Sequence, residues 1–494
     1  MSEQSQKPRE PKARVDWNGE ECAAAFANAS VSKPWTIGYA SLNEDLGTHN
    51  LDVVGNLPPG VRGTLFRNGP ARHELGGQRY GHRWDGDGMV QAFRFGSAVS
   101  HEGRFTRTAK FIAETAANKF MFSAFGTCIP GCPPIADDMD EMNSANISVC
   151  MAGGELLALW EPGSAYRIDP STLETIGIKT WHSDLLGQAF SAHPKREPTG
   201  ETWNFGANPL TGALTLYCSG EVGNLLRSHT LQIENLPPIH DFAVTDRHLV
   251  FVLPPTPVNK DRLASGMSFA HSCEWSPGLG SRVLVVAKSD WSQRWYDLPP
   301  SALFHVSNAW EDRSGTIRLQ FMGAENPMSL FAGWSIMRGD YRHRPGAFMT
   351  LVELGPGTTA THHIVKDLEG EFPVVDPSLV GRQHRTVLCL GRSTKRDPEV
   401  PGYDDLVSFD VESGQQQRYS YGEDWLVEEH LLVPDVANPT GPAAWILGTA
   451  LNLREKRTSV SVFKAGSVQD GPVAQVHLPY ALPLGLHGVY QAQV

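Results

Sequence analysis

Basic charge is scarce: 42 Lys and Arg face 54 Asp and Glu, a formal net charge of -12. Phosphate backbones are bound by clustered cations, so nucleic acid is not an expected partner. Long apolar runs are also missing. The longest, Ala443 to Leu453, falls short of the roughly 20 residues that cross a bilayer. The first residues, MSEQSQKPREPKAR, are polar and charged and lack the apolar stretch of a secretory signal. These absences lead to the expectation of a soluble, cytoplasmic protein, or at most one that rests peripherally on a membrane surface. There is no C-x-x-C pair. The seven cysteines, at 22, 128, 132, 150, 218, 273 and 389, are odd in number and show no repeated spacing, which favours free thiols in a reducing compartment. Cys128 and Cys132 have no second pair or histidine partner and make a weak case for metal or redox chemistry. No G-x-S-x-G elbow argues for a hydrolase, and no βαβ alternation argues for a parallel sheet.

What the chain does have is 48 Gly and 35 Pro, separating short segments rich in Val, Ile, Leu, Phe and Thr. Leu249 to Leu253, Arg282 to Lys288, Ala347 to Leu354, Leu406 to Val411 and Ser459 to Lys464 are examples. Several are followed by a turn and a second strand, which predicts an all-β fold of successive antiparallel hairpins. No WD40 or kelch repeat marks it directly. The best helical pattern runs from Thr108 to Phe125. Residues 1–33 read as a weakly ordered arm and residues 34–494 as a single domain.

Four histidines, His193, His240, His305 and His487, sit in short apolar or small-residue settings at the ends of strand-like segments across nearly 300 residues. No two lie at the i, i+4 spacing of a helical H-E-x-x-H site. In a β-propeller the inner strands of all blades face one axis, so distant residues meet there. On spacing alone, these four read more readily as ordinary polar residues among 18 histidines than as a shared metal site.

Their neighbourhoods carry more. GTLFRNGPARHE (63–74) and HRWDGDGMVQAFRF (82–95), then AFSAHPKREPTGETWNFG (189–206), PPIHDFAVTDRHLVFVLPP (237–255), LFHVSNAWED (303–312) and LPLGLHGVY (482–490) resemble the signature and iron-ligand segments of the carotenoid cleavage oxygenases, in that family's order. The resemblance runs from about Asn56 to the C-terminus. It implies a seven-bladed β-propeller with an axial metal site and a cap of loops and short helices over one face. It also implies one Fe(II) held by His193, His240, His305 and His487, with molecular oxygen as co-substrate. Imidazole itself suits Zn, Cu and Ni as well, so the metal comes from the resemblance. Three glutamates backing the histidines would be Glu161, Glu371 and Glu429, although Glu428 takes the third place after a one-residue slip. Only one of these two adjacent residues faces inward on a regular strand.

The implied reaction is oxidative cleavage of a C=C bond in an apolar conjugated substrate, giving two carbonyl products. A carotenoid or apocarotenoid is the first expectation. A stilbene such as resveratrol or a phenylpropene such as isoeugenol is the alternative, and a propeller that binds or isomerises apolar ligands without cleaving them is the second. Stilbene-cleaving relatives use a Tyr and a Lys on the substrate phenol. Here the segment GRFTRT places Phe105 at the Tyr position, and DDMDEM before Asn143 offers no Lys, which favours a polyene. Trp160 and Phe372 read either as tunnel walls or as core aromatics. Phe120, Met121, Phe122 and Phe125 read either as an apolar membrane-facing patch or as inward packing. His248, His73, His82, His362, His363 and His430 are expected to be structural or surface residues. The Asp85-Gly86-Asp87-Gly88 run is expected to be a tight turn that needs glycine rather than a calcium loop.

Overall fold

A computed structural model describes residues 17–493. Its strands form seven consecutive antiparallel blades. Five blades are separate sheets of four or five strands. The other two share the long strand Ala360–Val374, whose first part pairs with Phe348–Leu354 and whose last part, from Gly370, pairs with Thr386–Gly391. The ring closes where the C-terminal strand Gly488–Ala492 pairs with Gly63–Arg72, Gly63 opposite Ala492 and Arg67 opposite Gly488. An N-terminal strand and the C-terminal strand are thereby joined in one blade. This is the expected seven-bladed propeller.

Packing between blades explains the apolar runs. In His248–Leu253, successive side chains point to opposite faces. Leu249, Phe251 and Leu253 pack on Trp203, Phe205 and Leu216 of the preceding blade. Val250 and Val252 pack on Val306, Leu319 and Phe321 of the next. A strand buried on both faces loses its polar alternation, hence HLVFVL.

The cap is formed by short helices, among them Ala109–Ala117, Phe269–Ser272 and Met328–Met337. Trp334 Nε1 donates to the Gly126 carbonyl at 2.9 Å and Ala270 N to Phe125 O at 2.9 Å, tying the cap together. The helix expected over Thr108 to Phe125 stops at Ala117. Thr108 caps its start through the Phe111 amide, and Asn118 ends it in the left-handed conformation, φ 48°.

The expected weakly ordered arm differs more. Residues 1–16 lie outside the described residues, but Gly19–Ser30 is a helix capped by the Asn18 side chain, with Cys22 and Phe26 buried. The Arg79 guanidinium lies 3.4 Å from the Phe26 ring centroid. An N-cap Asn, an acidic first turn and an alanine-rich interior are ordinary helix signals. Among the described residues, no helix is long and apolar enough to cross a membrane.

Candidate metal centre

Every blade contributes one residue to a cluster on the propeller axis. His193 lies two residues before the short strand Lys195–Arg196, and His240 three residues before Ala243–Val244. His305 lies within Ala302–Glu311, and His487 precedes Gly488–Ala492. The remaining three blades supply Glu161, Glu371 and Glu429. The four imidazoles offer ligand atoms that all lie within 4.8 Å of one another. Nε2–Nε2 separations are 3.0 Å for His193–His240, 3.3 Å for His240–His305 and 3.0 Å for His305–His487.

On the far side of the rings stand the carboxylates. His305 Nδ1 meets Glu371 Oε2 at 2.5 Å, His487 Nδ1 meets Glu429 Oε1 at 2.8 Å, and His240 Nδ1 contacts Glu161 Oε1. An imidazole whose Nδ1 donates to a carboxylate presents a bare lone pair at Nε2. Lone pairs facing each other at 3.0–3.3 Å repel unless a cation lies between them. With metal–imidazole bonds of about 2.1 Å, ligands at right angles sit about 3.0 Å apart and tetrahedral ones about 3.4 Å. The donor set therefore fits a metal ion.

Burial keeps most of the rings neutral, as ligands must be. It drives His193 and His240 well below the usual histidine range, helped by neighbouring imidazoles, and it lowers His487 despite Glu429. His305 is raised, because Glu371 outweighs its burial. Glu429 is lowered, as His487 and Arg67 outweigh burial, whereas burial raises Glu428. The adjacent glutamates are both buried because the strand register slips between Val427 and His430. Glu429 reaches His487, and Glu428 accepts from the Gly485 amide.

The cluster opens into a cavity of about 1320 Å³. Trp160 and Phe372 line it, together with Trp84, Phe304 and Phe331. Phe372 packs 5.1 Å from the His305 ring and 5.2 Å from that of His487, centroid to centroid.

The retinal pigment epithelial membrane protein (RPE65) family profile matches residues 39–492. The chain belongs to the carotenoid cleavage oxygenase family. It is 28% identical to the apocarotenoid-15,15'-oxygenase of Synechocystis sp. over 475 residues, covering 92% of this chain and 95% of that one. The lignostilbene-alpha,beta-dioxygenase isozyme III of Sphingomonas paucimobilis is also 28% identical, over 89% of this chain and 93% of its own. A solved structure of cobalt-substituted Synechocystis apocarotenoid oxygenase superposes with a TM-score of 0.81 at 25% identity, covering 93% of this chain and 99% of the other.

Elsewhere in this carotenoid cleavage oxygenase, the structure departs from some expectations. Phe105 is not among the cavity-lining residues. It is 2% exposed, stacked on Phe111 at 5.2 Å and packed on Ala71 and Met89, because the strand Val99–Phe105 turns its odd-numbered residues into the core. It therefore says nothing about a substrate phenol. The cavity wall also carries polar groups that the polyene argument did not foresee, including Arg83, Tyr341 and Tyr403. The Phe120–Phe125 segment divides. Phe120 is buried against Tyr80, Met121 is exposed, and Phe125 lines the cavity.

Asp85 and Asp87 are buried rather than set in an open turn. Asp87 pairs with Arg72 at 2.8 Å and Lys110 at 2.7 Å, and Asp85 accepts from Gly126 N and Thr127 Oγ1. Glycine is needed for close approach, since a Cβ at Gly88 would sit 2.1 Å from the Ala145 carbonyl oxygen. Among the other histidines, His248 pairs with Glu311 at 3.0 Å and His430 bonds Tyr421 at 2.8 Å, both away from the cluster.

Sequence reasoning missed the residues that hold the cluster together. Arg67 donates to both the backbone and the carboxylate of Glu429, at 3.0 and 3.2 Å. Asp241, next to His240, accepts from Lys195 at 2.7 Å and from the Val306 amide at 2.8 Å, joining three blades. Both lie inside the family-like segments, which was the available signal.

Proposed function

We propose that His193, His240, His305 and His487 hold one Fe(II), and that the enzyme cleaves a C=C bond of an apolar conjugated substrate, an apocarotenoid, with molecular oxygen. The convergence of four imidazole lone pairs on the wall of an aromatic-lined cavity carries this reading. Bound Fe(II) supplies the redox chemistry that activates O₂ for addition across an alkene. The balance is one alkene plus one O₂ giving two carbonyl compounds, with no hydrolytic nucleophile required. Four neutral ligands leave the full dipositive charge in place, unlike a site with a ligating carboxylate.

The protein's own contribution is positional. Glu161, Glu371 and Glu429 orient three of the rings and set their tautomers. Trp160, Phe304 and Phe372 form the wall against which one double bond of a polyene rests, and register along that wall selects the bond. The cavity volume exceeds the roughly 300–1,000 Å³ of ordinary ligand sites, which favours a long substrate over a phenylpropene. Tyr341, Tyr403 and Arg83 in the wall favour a second reading, a phenolic stilbene. Leu186 and Phe331 line the cavity and are 65% and 37% exposed, an apolar rim suited to peripheral contact with a membrane that stores such substrates.

The test is parallel aerobic incubation of iron-loaded protein with an apocarotenal, resveratrol and isoeugenol, with products identified by mass. Paired aldehydes from the apocarotenal support the reading. Paired aldehydes from resveratrol alone select the phenolic one.

A further inference from the structure

His193 differs from the other three imidazoles of the cluster. Glu161, Glu371 and Glu429 stand behind His240, His305 and His487, whereas among the described residues no carboxylate pairs with His193. Such a carboxylate fixes a ligand ring's direction. Without one, the direction of the His193 ring depends on how firmly its backbone is held.

The chain around His193 is held from both sides. Upstream, the Ser191 hydroxyl accepts from His193 N at 3.2 Å and donates to the His240 carbonyl at 3.5 Å, while the Ser191 carbonyl accepts from Asn204 Nδ2 at 2.8 Å. Downstream, Lys195 Nζ lies 2.7 Å from Asp241 Oδ1. Pro194 stands between Lys195 and His193. Its ring fixes its own φ and confines His193 to extended backbone, so a displacement of Lys195 is passed on rather than absorbed.

Asp241 is a firm anchor for this bridge. It is 4% exposed, its Oδ1 also accepts from Phe242 N at 2.7 Å, and its Oδ2 accepts from Val306 N at 2.8 Å. Asp241 follows His240 in the chain and Val306 follows His305, so the carboxylate is fixed to two ligand-bearing segments before it meets the third. The Lys195 side chain keeps 18% of its surface in water against 2% for Asp241, and a cation left partly hydrated loses less to desolvation than one in a fully buried pair.

Resting on the metal site proposed above, we infer that the Lys195–Asp241 bridge positions His193, doing through the backbone what the three glutamates do directly for the other rings. Both are positioning residues, acting on the metal through His193.

Chelator competition for Fe(II), together with the visible spectrum of the cobalt-loaded protein, tests this without turnover. Lys195→Met should bind iron about tenfold more weakly, the lower end of what losing a direct carboxylate partner costs. Its cobalt bands should intensify, as they do when cobalt loses a ligand, because the His193 ring is released. Lys195→Arg keeps the cation and should restore both readouts. Asp241→Asn keeps an acceptor for Val306 N but drops the charge, and the double variant with Lys195→Met should bind iron no more weakly than Asp241→Asn alone, since both changes remove one bridge. Wild-type affinity and spectrum in Lys195→Met, a Lys195→Arg protein as weak as Lys195→Met, or additive losses in the double variant overturn the inference while leaving the metal site standing. If Asp241→Asn does not fold, the two Lys195 variants decide alone. A wild-type protein that binds neither metal refutes the site itself, and the bridge with it.

Discussion

Phe372 donates its backbone N–H to Glu371 Oε2 at 2.8 Å from a left-handed conformation, φ 56°. The same oxygen receives His305 Nδ1 at 2.5 Å. The strand register slips between Glu371 and Val374, so a bulge aims the carboxylate at the histidine and the Phe372 ring at the cavity. Left-handed backbone costs a β-carbon-bearing residue about 1–2 kcal/mol, spent here on position. Glu371→Gln should weaken metal binding about 10- to 100-fold in chelator competition. Phe372→Gly retains the N–H and relaxes the backbone, so it should hold metal normally but raise KM for a polyene.

The adjacent glutamates separate in the same way. Glu429→Gln should lose about 10- to 100-fold in metal affinity, since it abandons His487 and leaves Arg67 buried without its carboxylate. Glu428→Gln should stay within a few-fold of the wild type in the same titration.

Phe105 and Trp160 predict opposite phenotypes. Phe105→Ala opens a hole in a closed core and should cost about 3–5 kcal/mol in urea unfolding with product identities unchanged. Trp160→Ala should alter the product distribution, because it removes cavity wall.

Burial lowers His430 from 6.5 to about 4, partly offset by its bond to the Glu428 carbonyl. A depressed base stabilises the fold above its unfolded pKa, and that stability is lost as pH falls from about 6.5 towards 4. A shift of about 2.5 units corresponds to roughly 3 kcal/mol. Urea unfolding at pH 7 and pH 4.5 should show this loss in the wild type. His430→Gln should be less stable at pH 7 yet flatten the slope, and an unchanged slope would contradict the assignment.

The histidines were legible because each lies in a segment whose flanking residues carry their own pattern, as in LFHVSNAWED. Glu161 and Glu371 were legible by the same means. Phe105 was misjudged because its position in GRFTRT was matched to a family role, while strand alternation had already assigned it to the core. The Gly19–Ser30 helix was overlooked although Asn18, Glu20 and Glu21 announce its start.

The central claim is that cleavage depends on the four-histidine centre. The most direct measurement is aerobic turnover of an apocarotenal by iron-loaded wild type, His305→Ala and His248→Ala, with iron content and aldehyde masses determined together. The account predicts two aldehydes whose carbons sum to the substrate from wild type and His248→Ala, and neither iron nor aldehydes from His305→Ala. Equal iron and equal products in both variants, or no aldehydes from the iron-loaded wild type, would contradict it.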